Sequence, residues 1–221
     1  MIILAQVLKS MKIASLIILM LGCNVLLQSQ GGKFNLSVEY SPNYSRITDS
    51  YVSEKYKFSN QVILKVIYNL NERMKWTAGL GYMNTGEKEQ SYIGGIEEIN
   101  DIKFFHCYNY LIIPLGVKYY FKTIYINPEI ALGINISNPT TIIINYIDGH
   151  QKRETKEEQL NGGNFNTITL PFIISAVKEI KLGDIKLLAG IRTYISVNEV
   201  VSGVPRSNHY YGFGILTGLK F

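Results

Sequence analysis

The stretch YNYLIIPLGVKYYFKTIYINPEIALGINIS, Tyr108–Ser137, decides the fold class. It is strongly apolar, yet prolines and charges interrupt it at Pro114, Lys118, Pro128 and Glu129. Apolar and polar residues alternate from Ile124 onward, and the residues before Lys122 also separate into two faces at a period of two. A helix would not sort residues this way, because its period is 3.6. The stretch therefore predicts a two-stranded hairpin with Phe121 opposite Ile124.

The same alternation recurs along the chain and predicts eight strands in all. Besides the hairpin above, the predicted strands are Phe34–Tyr40, Phe58–Leu70, Met74–Tyr82, Ile168–Ala176, Ile185–Val197 and Tyr211–Phe221. Most are long enough to cross a bilayer at a tilt, which takes about 9–11 residues. Three short turns keep the apolar faces aligned, with Phe121 opposite Ile124, Leu70 opposite Met74 and Ile180 opposite Ile185.

The other connections are long and polar, and they cover Ser41–Lys57, Asn84–Lys103, Asn138–Asn166 and Asn198–Asn208. Short turns at one end and long loops at the other are typical of outer-membrane β-barrels. We therefore predict an all-β fold, an eight-stranded antiparallel up-and-down transmembrane β-barrel preceded by a cleavable signal peptide.

The alternative is a soluble lipocalin-like barrel, periplasmic or secreted, that binds an apolar ligand inside. The polar face of the strands favours the membrane barrel, because it is rich in Gly, Ser, Asn and Thr and poor in charge, which suits a crowded lumen. Aromatic residues near strand ends predict the girdles at the two membrane interfaces: Tyr40, Tyr68, Trp76, Tyr82, Tyr119, Phe121 and Tyr211.

The N-terminus has the pattern of a secretory signal peptide. Lys12 precedes an apolar run that ends at Gly22, and small and polar residues follow to Ser29. We predict a signal peptide over 1–29, with Met11 as an alternative start, and one barrel domain over 30–221. Cys23 after Gly22 resembles a lipobox, so lipidation is the alternative to cleavage after Ser29.

Charge and cysteine content limit the function. The net charge of +5 includes the two lysines of residues 1–29, so the mature chain carries +5 − 2 = +3 and has no basic run that indicates nucleic-acid binding. After cleavage, Cys107 is the one remaining cysteine, which leaves no disulfide and no cysteine metal site within the chain.

Several motifs together resemble the PorT-like family of Gram-negative outer-membrane β-barrel proteins. They are YLIIPLGVKYYF (Tyr110–Phe121) followed by IYINPEIALGINIS, then IRTYIS (Ile191–Ser196) and GILTGLKF at the C-terminus. The resemblance covers roughly 31–221 and implies an outer-membrane porin-like barrel that serves a secretion or assembly complex. Ile112 stands where that family has a glutamate, so a lumen charge found in its members is missing here.

Five charged residues fall on the predicted lumen face: Glu39, Lys65, Lys118, Glu129 and Arg192. Lys118 and Glu129 lie on adjacent strands, and we predict that they form an ion pair that closes the lumen. A structural role is the favoured interpretation, and a gated proton or ion path is the alternative. Alternate apolar residues at the C-terminus predict the strand read by the barrel-assembly machinery: Phe213, Ile215, Leu219 and Phe221.

We expect no enzymatic activity, metal or cofactor. The histidines, His106, His150 and His209, and Ser207 beside the last of them show no spacing typical of a triad or a metal site. A lipid-modifying outer-membrane enzyme is the alternative. The loops 84–103 and 138–166 are the predicted contact regions for a protein partner; the second is highly charged, and a solvated flap is its simpler interpretation. The lipid bilayer itself is the other expected partner.

Overall fold

The computed structural model describes residues 33–47, 54–91, 99–157, 167–198 and 209–221. In these ranges the regular elements are all β-strands, and no helix there is long and apolar enough to span a membrane. The strands are β1 (Phe34–Ile47), β2 (Glu54–Lys55), β3 (Lys57–Asn69), β4 (Met74–Ser91), β5 (Ile99–Phe121), β6 (Ile124–Ser137), β7 (Pro139–Tyr146), β8 (Gln151–Glu157), β9 (Ile168–Thr169), β10 (Pro171–Leu182), β11 (Ile185–Ser196) and β12 (Tyr210–Lys220). The predicted signal peptide, Cys23 and Ser207 lie outside the described residues.

Eight of these strands close into an antiparallel ring. The order around the ring is β1, β3, β4, β5, β6, β10, β11 and β12, and β12 pairs back with β1, where Val38 is opposite Leu219. Neighbouring strands of the ring follow one another along the chain, except that β2 lies between β1 and β3 in the sequence and β7, β8 and β9 lie between β6 and β10. The predicted eight-stranded up-and-down barrel is confirmed.

The outer surface of the ring is apolar. On β6 exposed and buried residues alternate without a break, and the exposed ones include Ile126, Ile130 and Leu132. The inward residues of the same strand include the buried Asn127 and Glu129. This arrangement is that of a barrel in lipid, and the lipocalin-like alternative is wrong because it requires the apolar face to point inward.

Three short turns lie at one end of the barrel, which we call the turn end; the opposite end is the loop end. The β5–β6 turn pairs Phe121 with Ile124 as predicted, and Lys122 in it has a positive φ of 62°. The β10–β11 turn differs from the prediction: Leu182, not Ile180, is opposite Ile185. Gly183 takes a φ of 63°, which a tight two-residue turn needs. The register changes by two residues, so the faces stay as predicted.

Pro114 and Pro128 lie where the strand ladder is interrupted. Pro128 pairs with Ile174 on β10, but the β5–β6 ladder skips Pro128 and its neighbour between the pairs Gly116–Glu129 and Tyr119–Ile126. Pro114 likewise lies in the gap of the β4–β5 ladder between Leu115 and Ile112. Each missing N–H therefore faces a neighbour that makes no ladder bond, which removes the conflict that a central-strand proline raises.

Strands at the loop end are longer than predicted. β4 has 18 residues and β5 has 23, so both continue well past the ring, where we predicted a loop over 84–103. β7 pairs with this part of β5, and β8 pairs with β7, within the predicted loop 138–166. With β2 on the far edge of β4, these strands form a sheet above the barrel, which we call the loop-end extension.

The outer aromatic residues lie mainly where girdles are expected. Tyr68, Trp76, Tyr119 and Phe121 are exposed close to the turn end. At the loop end, Tyr211 belongs to a group of ring contacts that also includes Tyr44, Tyr56, Phe58 and Phe213. Tyr40 and Tyr82 lie half-way along β1 and β4, because those strands continue to Ile47 and Ser91, so their prediction as strand-end residues is wrong.

Candidate functional site

The lumen holds a buried network of charges. The structure brings all five predicted lumen charges into it, and each is at most 1 % exposed. Lys65 Nζ lies 2.8 Å from Glu39 Oε2 and 2.7 Å from Glu129 Oε2, so this lysine bridges two carboxylates from opposite parts of the ring. Lys118 Nζ lies 3.4 Å from Glu39 Oε1, and the Arg192 guanidinium donates to Glu39 Oε2. Glu39 is therefore the common anion of three cations.

The predicted ion pair between Lys118 and Glu129 is wrong. The register that motivated it is correct, since Tyr119 is opposite Ile126 and Phe121 is opposite Ile124. Lys118 instead reaches across the lumen to Glu39 on β1 and donates to the hydroxyl of Tyr125 at 3.1 Å. An eight-stranded barrel is narrow, so a residue on the opposite wall lies as close to Lys118 as a diagonal neighbour on the next strand does. Here the residue on the opposite wall, Glu39, is the partner of Lys118.

Polar side chains complete the network. Arg192 donates to Ser175 Oγ at 2.9 Å and to Gln61 Oε1 at 3.1 Å, and Thr77 donates to Glu129 Oε1 at 3.4 Å. Buried charges are tolerated only when they are paired and hydrogen-bonded in this way. The network holds three cations and two anions, and it connects five ring strands, β1, β3, β5, β6 and β11, through charged groups.

A second charged cluster lies nearer the turn end, and the sequence analysis missed it. Glu179 accepts from Lys220 and Lys186, both at 2.9 Å, and from the hydroxyl of Tyr120 at 2.6 Å. Lys75 Nζ lies 4.7 Å from the centre of the Tyr120 ring. The signal was available, because Glu179 shares the inward face of β10 with Ser175 by simple alternation.

Apolar and tyrosine side chains fill the lumen on the loop-end side of the network. A contiguous buried cluster there contains Ile63, Met83, Tyr110, Ile112, Ile173, Tyr194 and Tyr210, among others. The ring centres of Tyr110 and Tyr194 lie 5.8 and 5.9 Å from that of Tyr210. Packed apolar side chains therefore fill the lumen together with the charged network. The sequence analysis expected a polar lumen face and did not predict the isoleucines on it.

The loop-end extension has mixed chemistry. Phe104 pairs with Glu89 and Ile142, and Lys103 pairs with Ile143, so aromatic, aliphatic and charged side chains share its surface. At its outer edge Lys152 Nζ lies 2.7 Å from Glu154 Oε1 in an exposed ion pair on β8. The extension contains most of both predicted partner loops, but as paired strands.

The three histidines contact different partners in different parts of the protein. His106 Nδ1 lies 3.1 Å from Thr140 Oγ1, and its Nε2 lies 3.7 Å from Glu89 Oε2. His150 Nδ1 lies 2.9 Å from Asp148 Oδ2 in the exposed β7–β8 turn, and His209 Nδ1 lies 2.9 Å from the Ser196 carbonyl oxygen. The described part of the chain contains no group of His, Cys, Asp and Glu side chains arranged to hold a metal ion.

The C-terminal strand residues lie on the outer face. Phe213, Ile215 and Leu219 are exposed there, and the backbone N–H of Phe221 donates to the Leu36 carbonyl at 2.9 Å. That bond joins the last residue to the first ring strand. The predicted role of these residues in assembly remains a prediction.

Solved structures with a similar overall shape are bacterial outer-membrane proteins. Ail, the attachment invasion locus protein of Yersinia pestis, is 11% identical over 86% of this chain and 99% of its own, with a TM-score of 0.42. Neisserial surface protein A is 10% identical over 86% and 98%, with a TM-score of 0.37, and the protease OmpT of Escherichia coli is 8% identical over 86% and 96%, with a TM-score of 0.41. No family model and no curated protein matches the chain. These low scores carry no argument about function.

The fold assignment rests on the strand pairing and on the two faces of the ring. A closed antiparallel ring, an apolar outer face and short turns at one end define an outer-membrane β-barrel. The protein is an integral outer-membrane protein of this class.

Proposed function

We propose that the protein is a non-enzymatic surface platform, in which the barrel is the anchor and the loop-end extension recognises a protein partner. The observation that carries this proposal is the length of β4 and β5, 18 and 23 residues, when about 9–11 suffice to cross a bilayer. The hairpin of β7 and β8 adds to the same sheet and takes no part in closing the ring.

The lumen is filled by side chains, which supports a function on the surface of the protein. Eight strands leave an interior just wide enough for side chains, and the charged network and the tyrosine cluster occupy it here. We therefore assign the function to the surface of the protein and not to diffusion of a solute through the barrel. With turns in the periplasm, as is usual for such barrels, the extension lies outside the cell.

The surface of the extension is suited to a protein partner. Protein interfaces combine aromatic and aliphatic residues with a polar rim, and the extension places Phe104 and Ile142 next to Glu89. The resemblance of Tyr110–Phe121 and of the C-terminal strand to PorT-like proteins adds that this partner belongs to a secretion or assembly complex. During biogenesis the outward residues of β12 are the part read by the barrel-assembly machinery.

Two measurements test the platform. Gel mobility in detergent before and after boiling reports whether the purified membrane protein is a closed barrel, and we expect a shift on boiling. A photo-reactive residue at Ile143 in the extension is then expected to yield one discrete protein adduct in native membranes. The matched control is the same residue at the lipid-facing Ile130, which is 52% exposed. If both positions yield only lipid adducts, the extension does not bind a protein.

A lipid-modifying enzyme is the second candidate, and one observation favours it. Thr140, His106 and Glu89 form a hydroxyl–imidazole–carboxylate series above the barrel. The Thr140 side chain is buried and the His106–Glu89 distance is long, so the platform remains the better supported function. His106→Ala tests the candidate: an unchanged lipid profile of the outer membrane excludes it, whereas loss of a modified lipid species establishes it.

A further inference from the structure

A recess of about 520 Å³ lies at the turn end, between the β3–β4 turn and the β5–β6 turn. Its lining residues are Glu72, Arg73, Tyr119, Tyr120, Phe121 and Lys122. The backbone N–H of Tyr120 donates to the Arg73 carbonyl at 2.7 Å, which holds the two turns side by side. The recess is separate from the lumen network and from the loop-end extension.

The recess lies at the boundary between lipid and water. Tyr119 and Phe121 point to the outside of the barrel, are 37% and 56% exposed, and have ring centres 4.8 Å apart. Aromatic side chains in this position mark the headgroup level of the bilayer. The adjoining turn residue Lys122 is exposed, so the lining passes from apolar to charged within one strand end.

The charge of the recess and of its inner wall is positive. The lining contains two cations, Arg73 and Lys122, and one anion, Glu72. Behind the wall formed by Tyr120, Lys75 and Lys220 lie 4.7 and 5.5 Å from the centre of its ring. There the three lysines at positions 75, 186 and 220 outnumber the one carboxylate, Glu179. Cations on both sides of one wall favour an anion in the recess.

We infer that this recess binds the phosphodiester of a phospholipid in the turn-side leaflet of the membrane. Arg73 supplies a planar donor group that pairs with two phosphate oxygens, and Lys122 supplies a compact charge. Tyr119 and Phe121 contact the glycerol and the first methylenes of the acyl chains. The volume lies within the range of ordinary small-ligand sites. Free phosphate has the same charged group as the lipid headgroup, but it has no apolar part to contact the rings of Tyr119 and Phe121.

Native mass spectrometry of the detergent-purified full chain tests the inference. We expect retention of one phosphatidylglycerol, and poor retention of diacylglycerol, which has the same chains without the phosphate. The double variant Arg73→Gln/Lys122→Gln is expected to weaken retention roughly thirtyfold, because two cations near the headgroup are lost. Glu72→Gln, which removes the one anion of the lining, is expected to strengthen it.

The control is Lys152→Gln/Lys156→Gln on the exposed β8 strand, which removes the same charge at the loop end and leaves retention unchanged. Heat-modifiability on gels shows that each variant is folded before it is compared. Equal retention by the Arg73/Lys122 double variant and the parent overturns the inference, as does equal retention of diacylglycerol. Displacement of the lipid by millimolar inorganic phosphate also overturns it, in favour of a free-anion site.

Discussion

The carboxylate of Glu39 is the shared partner of three buried cations in the lumen. Lys65, Lys118 and Arg192 all contact it, and none of the four residues is more than 1% exposed. A buried cation that loses its anion keeps the cost of desolvation without the compensating attraction. We therefore expect the stability of the folded barrel to depend strongly on Glu39.

Replacing Glu39 tests this dependence. Glu39→Gln keeps the size of the side chain and removes its charge, and we expect a loss of about 3–5 kcal/mol in the free energy of unfolding. Urea titration in lipid vesicles, read by tryptophan fluorescence, measures it. The control, Glu154→Gln, removes a carboxylate from the exposed ion pair on β8 and is expected to leave the urea midpoint unchanged. Equal midpoints for the two variants would show that the network is not a stabilising element.

Gly116 shows how closely the inner wall is packed. A Cβ at this position would lie 2.4 Å from the Pro128 carbonyl oxygen and 2.6 Å from Glu129 Cγ. We expect Gly116→Ala to destabilise the barrel by about 1–3 kcal/mol, because the backbone of β6 must move. The same urea titration measures the effect, and Thr217→Ala on the exposed outer face is the control. A stable Gly116→Ala variant would mean that β5 and β6 separate easily at the ladder gap beside Pro128.

The ring and the extension are distinct elements that share two strands. β7 and β8 pair only with β5 and with each other, and no ring pair depends on them. Shear and closure are set by the eight ring strands alone. The β7–β8 hairpin is therefore expected to be removable.

Deletion of residues 139–157 tests this separation. We expect the shortened protein to keep its shift in gel mobility on boiling and its urea midpoint. Circular dichroism of the folded protein is the additional check, since the deleted hairpin contributes strand content. Failure of the deleted chain to fold would show that the hairpin is part of the barrel's folding unit.

The element scale also shows where sequence reasoning succeeds and fails. Inside the bilayer every second residue must be apolar, so strands such as Ile124–Ser137 and the places of all three turns are recognisable, although the β10–β11 turn is two residues shorter than predicted. Beyond the bilayer both faces are wet, and Glu87-Lys88-Glu89 on β4 carries no alternation, so its strand was predicted as loop. The alternation along each strand identified which residues face the lumen, but it did not identify which of them contact one another. Contacts such as that of Lys118 with Glu39, 79 residues apart, depend on the shear of the closed ring.

At the scale of the whole molecule the barrel is a solid anchor. The turn-end cluster around Glu179, the central charged network and the tyrosine cluster follow one another along the lumen. We expect no steady single-channel conductance in planar bilayers with 1 M KCl. A variant with the tyrosine cluster removed (Tyr110→Gly, Tyr194→Gly, Tyr210→Gly) is expected to stay closed as well, because the two charged clusters still fill the rest of the lumen. Regular conductance by the unchanged protein would restore the ion-path alternative.

The pairing of β1 with β12 has a consequence for how the chain folds. Ser37 and Lys220 face each other across this seam although nearly the whole described chain separates them. Contacts of such sequence separation form late, because a very long loop must close before they contribute. A polypeptide that ends before β12 exposes the unpaired edges of β1 and β11 to hydrocarbon, where backbone groups find no water. We therefore expect insertion to be an all-or-none event that needs the last strand, so that a chain ending before β12 stays outside the membrane.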